Sequence, residues 1–304
     1  MNTTVTLNNG LKMPTFGLGT FLSAPGEVGD AVQWAVEAGY IHIDTASLYG
    51  NEKEIGDALK TVFAEGKAKR DDIWVTTKIW PSDCAPGDVR PACEKSLELL
   101  QLDAVDLYLI HWPAVLTADK KVRTDVELMD TWREMEKLVD AGLVKSIGVS
   151  NFNVEQLAAI TSQARIQPVV NQIEAHPFLQ QKALVDACAK ANVIITAYSP
   201  LGNPGRSGDR KNLLEDETVN AVAKKHGKSA AQILIKWSLA TGRICIPKSV
   251  RKERIAENGN VFDFELDADD LAAIGKIEEE KGTFRFINPP FGKGNEPLFP
   301  ERND

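Results

Sequence analysis

The chain has 304 residues, 43% of them hydrophobic and 26% charged; this allows one large α/β domain with a sizeable core and excludes wholesale disorder. A formal net charge of −8 argues against general affinity for nucleic acid or an anionic membrane, while leaving room for a local basic pocket. Residues 1–10 carry no basic and apolar leader pattern, no apolar run approaches the about 18–20 residues of a membrane span, and Cys84, Cys93, Cys188 and Cys245 show neither a CxxC pair nor metal-ligand spacing. The expectation is a reduced, cytoplasmic protein without a bound metal, whose cysteines pack as small apolar side chains.

In chain order, the first signal is Asn9-Gly10 between Val5-Thr6-Leu7 and Leu11-Lys12-Met13, which predicts a β-hairpin with a two-residue turn, both central residues taking positive φ. Apolar, β-branched strand candidates then alternate with amphipathic helical stretches. The strands are expected at 16–19, 42–44, 74–78, 105–111, 146–150, 169–174, 194–198 and 244–247. Asp125 reads as the N-cap of a helix that carries Leu128, Trp132, Met135 and Val139 on one face and stops at Gly142. Asn153 with Gln156, and Ser229 with Gln232, form capping boxes ahead of apolar runs. Two further helices, at 217–226 and 267–280, fall outside the regular alternation.

Eight strand–helix units with short, continuously apolar strands point to a single (β/α)8 TIM barrel, residues 1–304, with an N-terminal β-hairpin and two extra helices. An open sheet binding a dinucleotide would carry G-x-G-x-x-G after its first strand; Gly17-Leu18-Gly19-Thr20 stops short of it. Long connections at 112–124 and 200–214 follow strands and so belong to the C-terminal mouth, where barrel active sites sit. A tail from about 288 reads as loose, and the segment 284–304 is expected to contribute to the substrate pocket.

Asp44, Tyr49, Lys78 and His111 stand at or just beyond the ends of successive strands, so a barrel can bring them to one mouth. A free phenol titrates near pH ~10, and positive charge beside it favours ionisation. Lys78 is therefore expected to lower the Tyr49 pKa, Asp44 to pair with Lys78, and His111 to hydrogen-bond a substrate carbonyl.

These residues sit in motifs that resemble the aldo-keto reductase family. Gly39-Tyr40-Ile41-His42-Ile43-Asp44-Thr45-Ala46 followed by Tyr49-Gly50-Asn51-Glu52 is similar to one family signature, Lys145-Ser146-Ile147-Gly148-Val149-Ser150-Asn151-Phe152 to a second, and Ile246-Pro247-Lys248-Ser249-Val250 with Arg254 to a third. The resemblance runs from about residue 7 to 264. It implies reduction of aldehydes and ketones by NADPH through a catalytic tetrad of Asp44, Tyr49, Lys78 and His111. It further implies a nicotinamide stacked on Tyr198, with its carboxamide held by Ser150, Asn151 and Gln172. Gly19, Thr20, Asp44, Ser199, Pro200, Leu201 and Gly202 would line its ribose and pyrophosphate. Lys248, Ser249, Val250 and Arg254 would surround the 2′-phosphate, with Glu257 and Asn258 at the adenine. Lys248 and Arg254 with the Ser249 hydroxyl suit a phosphomonoester on chemistry alone.

Phe21, Trp80 and Trp112 would wall the substrate pocket, with Phe286, Phe291 and Phe299 as further candidates from the tail. Where mammalian members of the family latch a loop over the cofactor by a lysine–aspartate link, this chain has Leu22 and Gly205, which implies faster NADP release. Two rival readings are an NADPH-binding sensor barrel with little turnover, against which the full tetrad speaks, and a metal-dependent hydrolase, for which His42, His111, His176 and His226 lack ligand spacing. The partner expected is a small carbonyl compound, with no nucleic acid or membrane, and the polar helical faces suit a monomer.

Overall fold

The computed structural model describes residues 3–204, 212–292 and 296–299. Eight short strands lie side by side in chain order, every neighbouring pair parallel: β3 (Leu18–Gly19), β4 (His42–Asp44), β5 (Trp74–Ile79), β6 (Leu107–Ile110), β7 (Ile147–Ser150), β8 (Val170–Glu174), β9 (Ile194–Tyr198) and β10 (Ile244–Cys245). The two ends of this series meet. Gly17 N donates to Cys245 O (3.0 Å), Cys245 N to Thr15 O (2.9 Å) and Gly19 N to Pro247 O (3.1 Å), so the sheet closes into a (β/α)8 barrel. Every residue of β4 to β8 is buried, as a sheet packed on both faces requires.

The helices that alternate with the strands are α1 (Val28–Glu37), α2 (Glu52–Ala64), α3 (Val89–Leu100), α4 (Leu128–Asp140), α5 (Val154–Thr161), α6 (Lys182–Lys190), α8 (Ala230–Ala240) and α9 (Lys252–Gly259). The extra α7 (Glu217–His226) precedes α8 with the predicted bounds. The second extra helix, expected over 267–280, has Asp267 as its N-cap but is divided into α10 (Ala268–Gly275) and α11 (Ile277–Lys281), where Lys276 N closes a tight turn onto Ala273 O (3.3 Å). Both predicted capping boxes form: Asn153 Oδ1 accepts from Gln156 N (2.8 Å) and Ser229 Oγ from Gln232 N (3.3 Å), each glutamine reaching back to the cap N–H. Asp125, by contrast, is no N-cap. It holds the Arg123 guanidinium with both carboxylate oxygens (2.6 and 3.0 Å), and α4 begins after Glu127 instead.

β1 (Thr4–Thr6) and β2 (Lys12–Pro14) form the N-terminal hairpin. Its turn differs from the expected one. Gly10 N donates to Leu7 O and Leu7 N to Leu11 O (both 2.9 Å), and Gly10 takes φ +85° while Asn9 does not enter the left-handed region; this is a three-residue loop with glycine at the left-handed position. The asparagines are used in tertiary contacts. Asn8 donates to Pro168 O (2.9 Å) and Asn192 O (3.1 Å), and Asn9 to Ser146 Oγ (2.9 Å), all just before β7, β8 or β9. Leu7 and Met13 pack there with Trp74, Leu109 and Val170. The hairpin therefore closes the N-terminal end with apolar side chains, and chemistry is left to the C-terminal mouth.

Close strand packing makes Gly148 in β7 a sensitive position: a Cβ built there stands 2.7 Å from Val170 O and 2.8 Å from a Leu109 methyl. Gly148→Ala is expected to lower stability by about 1–3 kcal/mol, the range for overpacking a close-packed interior, read as a lower urea midpoint with an unchanged slope.

Candidate active site

At the C-terminal mouth a buried ion pair comes first. Asp44 ends β4 and Lys78 lies in β5, 2% and 0% exposed. Lys78 Nζ donates to Asp44 Oδ1 (2.6 Å) and to Thr45 O (2.8 Å), while Gln172 Nε2 of β8 donates to Asp44 Oδ2 (2.7 Å). Charges this deep persist only when paired and hydrogen-bonded. Burial pushes the Asp44 carboxyl up and the Lys78 ammonium down, and each restrains the shift of the other.

Tyr49 closes a short 3-10 turn, Ser47–Tyr49, which Ser47 Oγ pins to Lys78 O (3.0 Å). Lys78 Nζ sits 5.2 Å from the centre of the Tyr49 ring, a cation–π contact. The His111 ring meets Tyr49 edge-on at 5.7 Å and Trp80 at 5.2 Å, and stacks on Trp112 at 6.2 Å; Phe21 lies 4.9 Å from Tyr49. All four residues of the expected tetrad and all three expected pocket aromatics are thus neighbours. The electrostatic expectation for Tyr49 needs correction. Burial, the negative charge of Asp44 and the neighbouring Tyr198 push its phenol well above the usual range. Burial and the Lys78 charge hold His111 well below its usual range, hence neutral.

A second network adjoins the first. Asn151, at φ +64°, donates from Nδ2 to His111 O (2.9 Å) and Ser150 Oγ (3.1 Å) and accepts from Tyr198 Oη (2.8 Å). Ser150 Oγ and Asn151 N both donate to Gln172 O (2.8 and 3.0 Å). Gln172 therefore joins the two networks, its side chain on Asp44 and its carbonyl on Ser150 and Asn151. Thr20, 1% exposed, donates to Asp44 O (2.9 Å). Ser199, Pro200, Leu201 and Gly202 form the turn leaving β9, with Gly202 N donating to Ser199 O (2.9 Å).

The basic residues lie past β10. Gly19 bridges to Lys248 across the barrel seam, and a Cβ on Gly19 would stand 2.7 Å from Ile246 O. Lys248 Nζ donates to Leu22 O (3.2 Å), so a lysine reaches the loop after β3 through main chain; Gly205 lies outside the described residues. Ser249 turns its hydroxyl onto Arg251 N (3.1 Å). Val250 precedes α9, on which Arg254 and Glu257 are exposed and Asn258 is buried. Among the described residues neither Lys248 nor Arg254 makes an ion pair.

The tail is not loose where it is described. Asn288 Nδ2 donates to Phe299 O and Phe299 N to Asn288 Oδ1 (both 3.0 Å), folding the segment back so that Phe291 meets Trp80 and Trp112 at 5.6 and 5.8 Å, and Phe299 meets Trp112 at 6.3 Å. Phe286 packs instead on His176 and Phe284.

Two residues of this region had no assigned role in the sequence. Asn51 donates to Thr20 O and accepts from Thr45 Oγ1 (both 3.0 Å), tying the loop after β3 to the ion pair. Buried Glu52 accepts from Thr77 Oγ1 (2.5 Å) and Ser96 Oγ (3.1 Å) beneath Lys78. Both stand in the Tyr49-Gly50-Asn51-Glu52 run, and that adjacency was their only signal. Among the described residues no cluster of three His, Cys, Asp or Glu could hold a metal ion, and no helix is long and apolar enough to cross a membrane.

The Aldo/keto reductase family profile matches residues 15–279. The chain is 44% identical to aldo-keto reductase family 1 member A1-A of Danio rerio, covering 98% of this chain and 96% of that one, and 46% identical to aldose reductase B of Dictyostelium discoideum, covering 89% and 91%. Among solved structures, the aldose reductase of Schistosoma japonicum superposes with a TM-score of 0.87 at 41% identity, covering 94% of both chains. An aldo-keto reductase of Bombyx mori, solved in complex with NADP, gives a TM-score of 0.87 at 38% identity, covering 94% and 99%. On sequence and fold together, this chain belongs to the aldo/keto reductase family.

Proposed function

We propose that the chain uses NADPH to reduce small aldehydes and ketones to alcohols, with Tyr49 as the proton donor. The observation that carries this is a phenol kept protonated between a buried ammonium–carboxylate pair and a neutral histidine. The NADP in the Bombyx mori relative supports the cofactor.

When bound, the nicotinamide supplies a hydride to the carbonyl carbon. The chain's residues handle the oxygen, where negative charge builds. Tyr49 gives its proton to that oxygen. Neutral His111 donates an N–H to the same atom and orients the substrate without competing as an acid. As the phenol loses its proton, the Lys78 ammonium behind its ring stabilises the growing negative charge, and Asp44 keeps that ammonium charged and aimed. Tyr198 has its hydroxyl fixed by Asn151, which suits a flat platform for the nicotinamide. Ser150, Asn151 and the Oε1 of Gln172 are the polar groups for its carboxamide. Gly19, Thr20 and the Ser199, Pro200, Leu201, Gly202 turn would flank the ribose and pyrophosphate. Lys248, Ser249, Val250 and Arg254, with neither cation in an ion pair among the described residues, suit the 2′-phosphate at the first turn of α9, with Glu257 and Asn258 toward the adenine. Phe21, Trp80 and Trp112, joined by Phe291 and Phe299, favour substrates with an apolar body.

Tyr49→Phe should cut carbonyl reduction by about 10²–10⁴-fold while NADPH still quenches tryptophan fluorescence; near-normal turnover in that variant rules out the donor. Arg254→Ala should raise the Kd for NADPH by about 10–100-fold, the loss of a charged hydrogen bond of ~1.5–3 kcal/mol, and leave NADH nearly untouched; equal effects on both would reassign Arg254. Because desolvation and Asp44 both disfavour the phenolate, the free protein should hold Tyr49 protonated past the ordinary tyrosine value. An ultraviolet difference titration of wild type against Tyr49→Phe should show no Tyr49 phenolate up to about pH 10.

A further inference from the structure

We propose that Glu174 is a positioning residue that sets the width of the substrate mouth by holding the C-terminal segment in place, an inference that rests on the carbonyl-reductase reading above. Glu174 ends β8 and is 0% exposed. Three N–H donors converge on its carboxylate: Phe286 N on Oε1 (2.7 Å), Ile287 N on Oε2 (2.9 Å) and His176 Nε2 on Oε1 (2.8 Å). Two of the three belong to the tail. An ionised carboxylate accepts all of them at once, whereas an amide would turn an NH2 toward an N–H.

The clamp lies four and five residues ahead of Phe291. Beyond it, reciprocal hydrogen bonds join Asn288 and Phe299, and the Arg285 guanidinium lies 3.8 Å from the centre of the Phe299 ring. Phe291 of the same segment meets Trp80 and Trp112, beside His111. Glu174 also stands two residues after Gln172, which holds Asp44. Alternation puts both side chains on one face of the strand, so a single strand fixes the reacting groups and the wall opposite them. Glu174 thus acts on substrate through the tail and is not a catalytic residue.

The test is Glu174→Gln, assayed at saturating NADPH with an aromatic aldehyde and with glyceraldehyde. The KM for the aromatic aldehyde should rise about tenfold, the worth of one charge-assisted hydrogen bond, with kcat within about twofold and glyceraldehyde little changed. Phe291→Ala should give the same selectivity change, and the double variant should add little to either. Acrylamide should quench tryptophan fluorescence more strongly in Glu174→Gln than in wild type, as Trp112 loses its cover. If Glu174→Gln does not fold, Ile287→Pro removes one tail donor without touching the barrel and carries the same expectations. An unchanged preference between the two aldehydes with unchanged quenching overturns the proposal, as do effects of Glu174→Gln and Phe291→Ala that multiply in the double variant. A wild-type protein that reduces neither aldehyde defeats the proposed function instead, and the quenching comparison still decides whether Glu174 holds the tail.

Discussion

Lys78 and Asp44 face each other with almost no access to water, and the site is arranged around what that demands. An ion pair in the interior is tolerable only if its remaining donors and acceptors are also met. Here they are met by Thr45 on one side and Gln172 on the other, while Thr20 and Asn51 secure the main chain around Asp44. The pair thereby stitches β4, β5 and β8 and the loop after β3 into one frame. Removing one partner would strand the other as a buried charge, at a cost of about 3–5 kcal/mol. Lys78 and Asp44 are for that reason coupled in stability.

The same burial decides protonation. A lysine beside a tyrosine suggests an acidified phenol, and in water that would hold. Inside the barrel, desolvation and the Asp44 charge act in the opposite sense and prevail. The result suits an acid more than a base, because the protonated phenol is the favoured form. His111 is pushed the other way by the same desolvation and by the same lysine, and remains a neutral hydrogen-bond donor.

Local chemistry was the readable part of the sequence. Apolar runs such as 194–198 announced strands, and Asn153 with Gln156 and Ser229 with Gln232 announced helix starts, because those signals act within one turn of chain. The four polar residues at strand ends could be grouped because a barrel gathers strand ends at one mouth. Asp125 misled because its own near neighbour Arg123 claimed it, a local competition that residue type does not resolve. Links spanning many residues left no trace in spacing: Gln172 on Asp44 is 128 residues away and Glu174 on Phe286 is 112. Nothing in periodicity reports which buried acceptor a distant amide will find.

The seam of the barrel carries one further consequence. Thr15, Gly17 and Gly19 bond to Cys245 and Pro247, so the first strand finds its second neighbour only when the last strand exists, and Lys248 comes next in the chain. During synthesis, at about 5–20 residues per second, the lysine that reaches Leu22 is made 226 residues after it. A nascent chain stopped after β9 would own Asp44, Tyr49, Lys78 and His111, yet have an open sheet edge and no basic cluster. The closed barrel and the basic cluster beside its seam are therefore completed together, by the last part of the chain to be made.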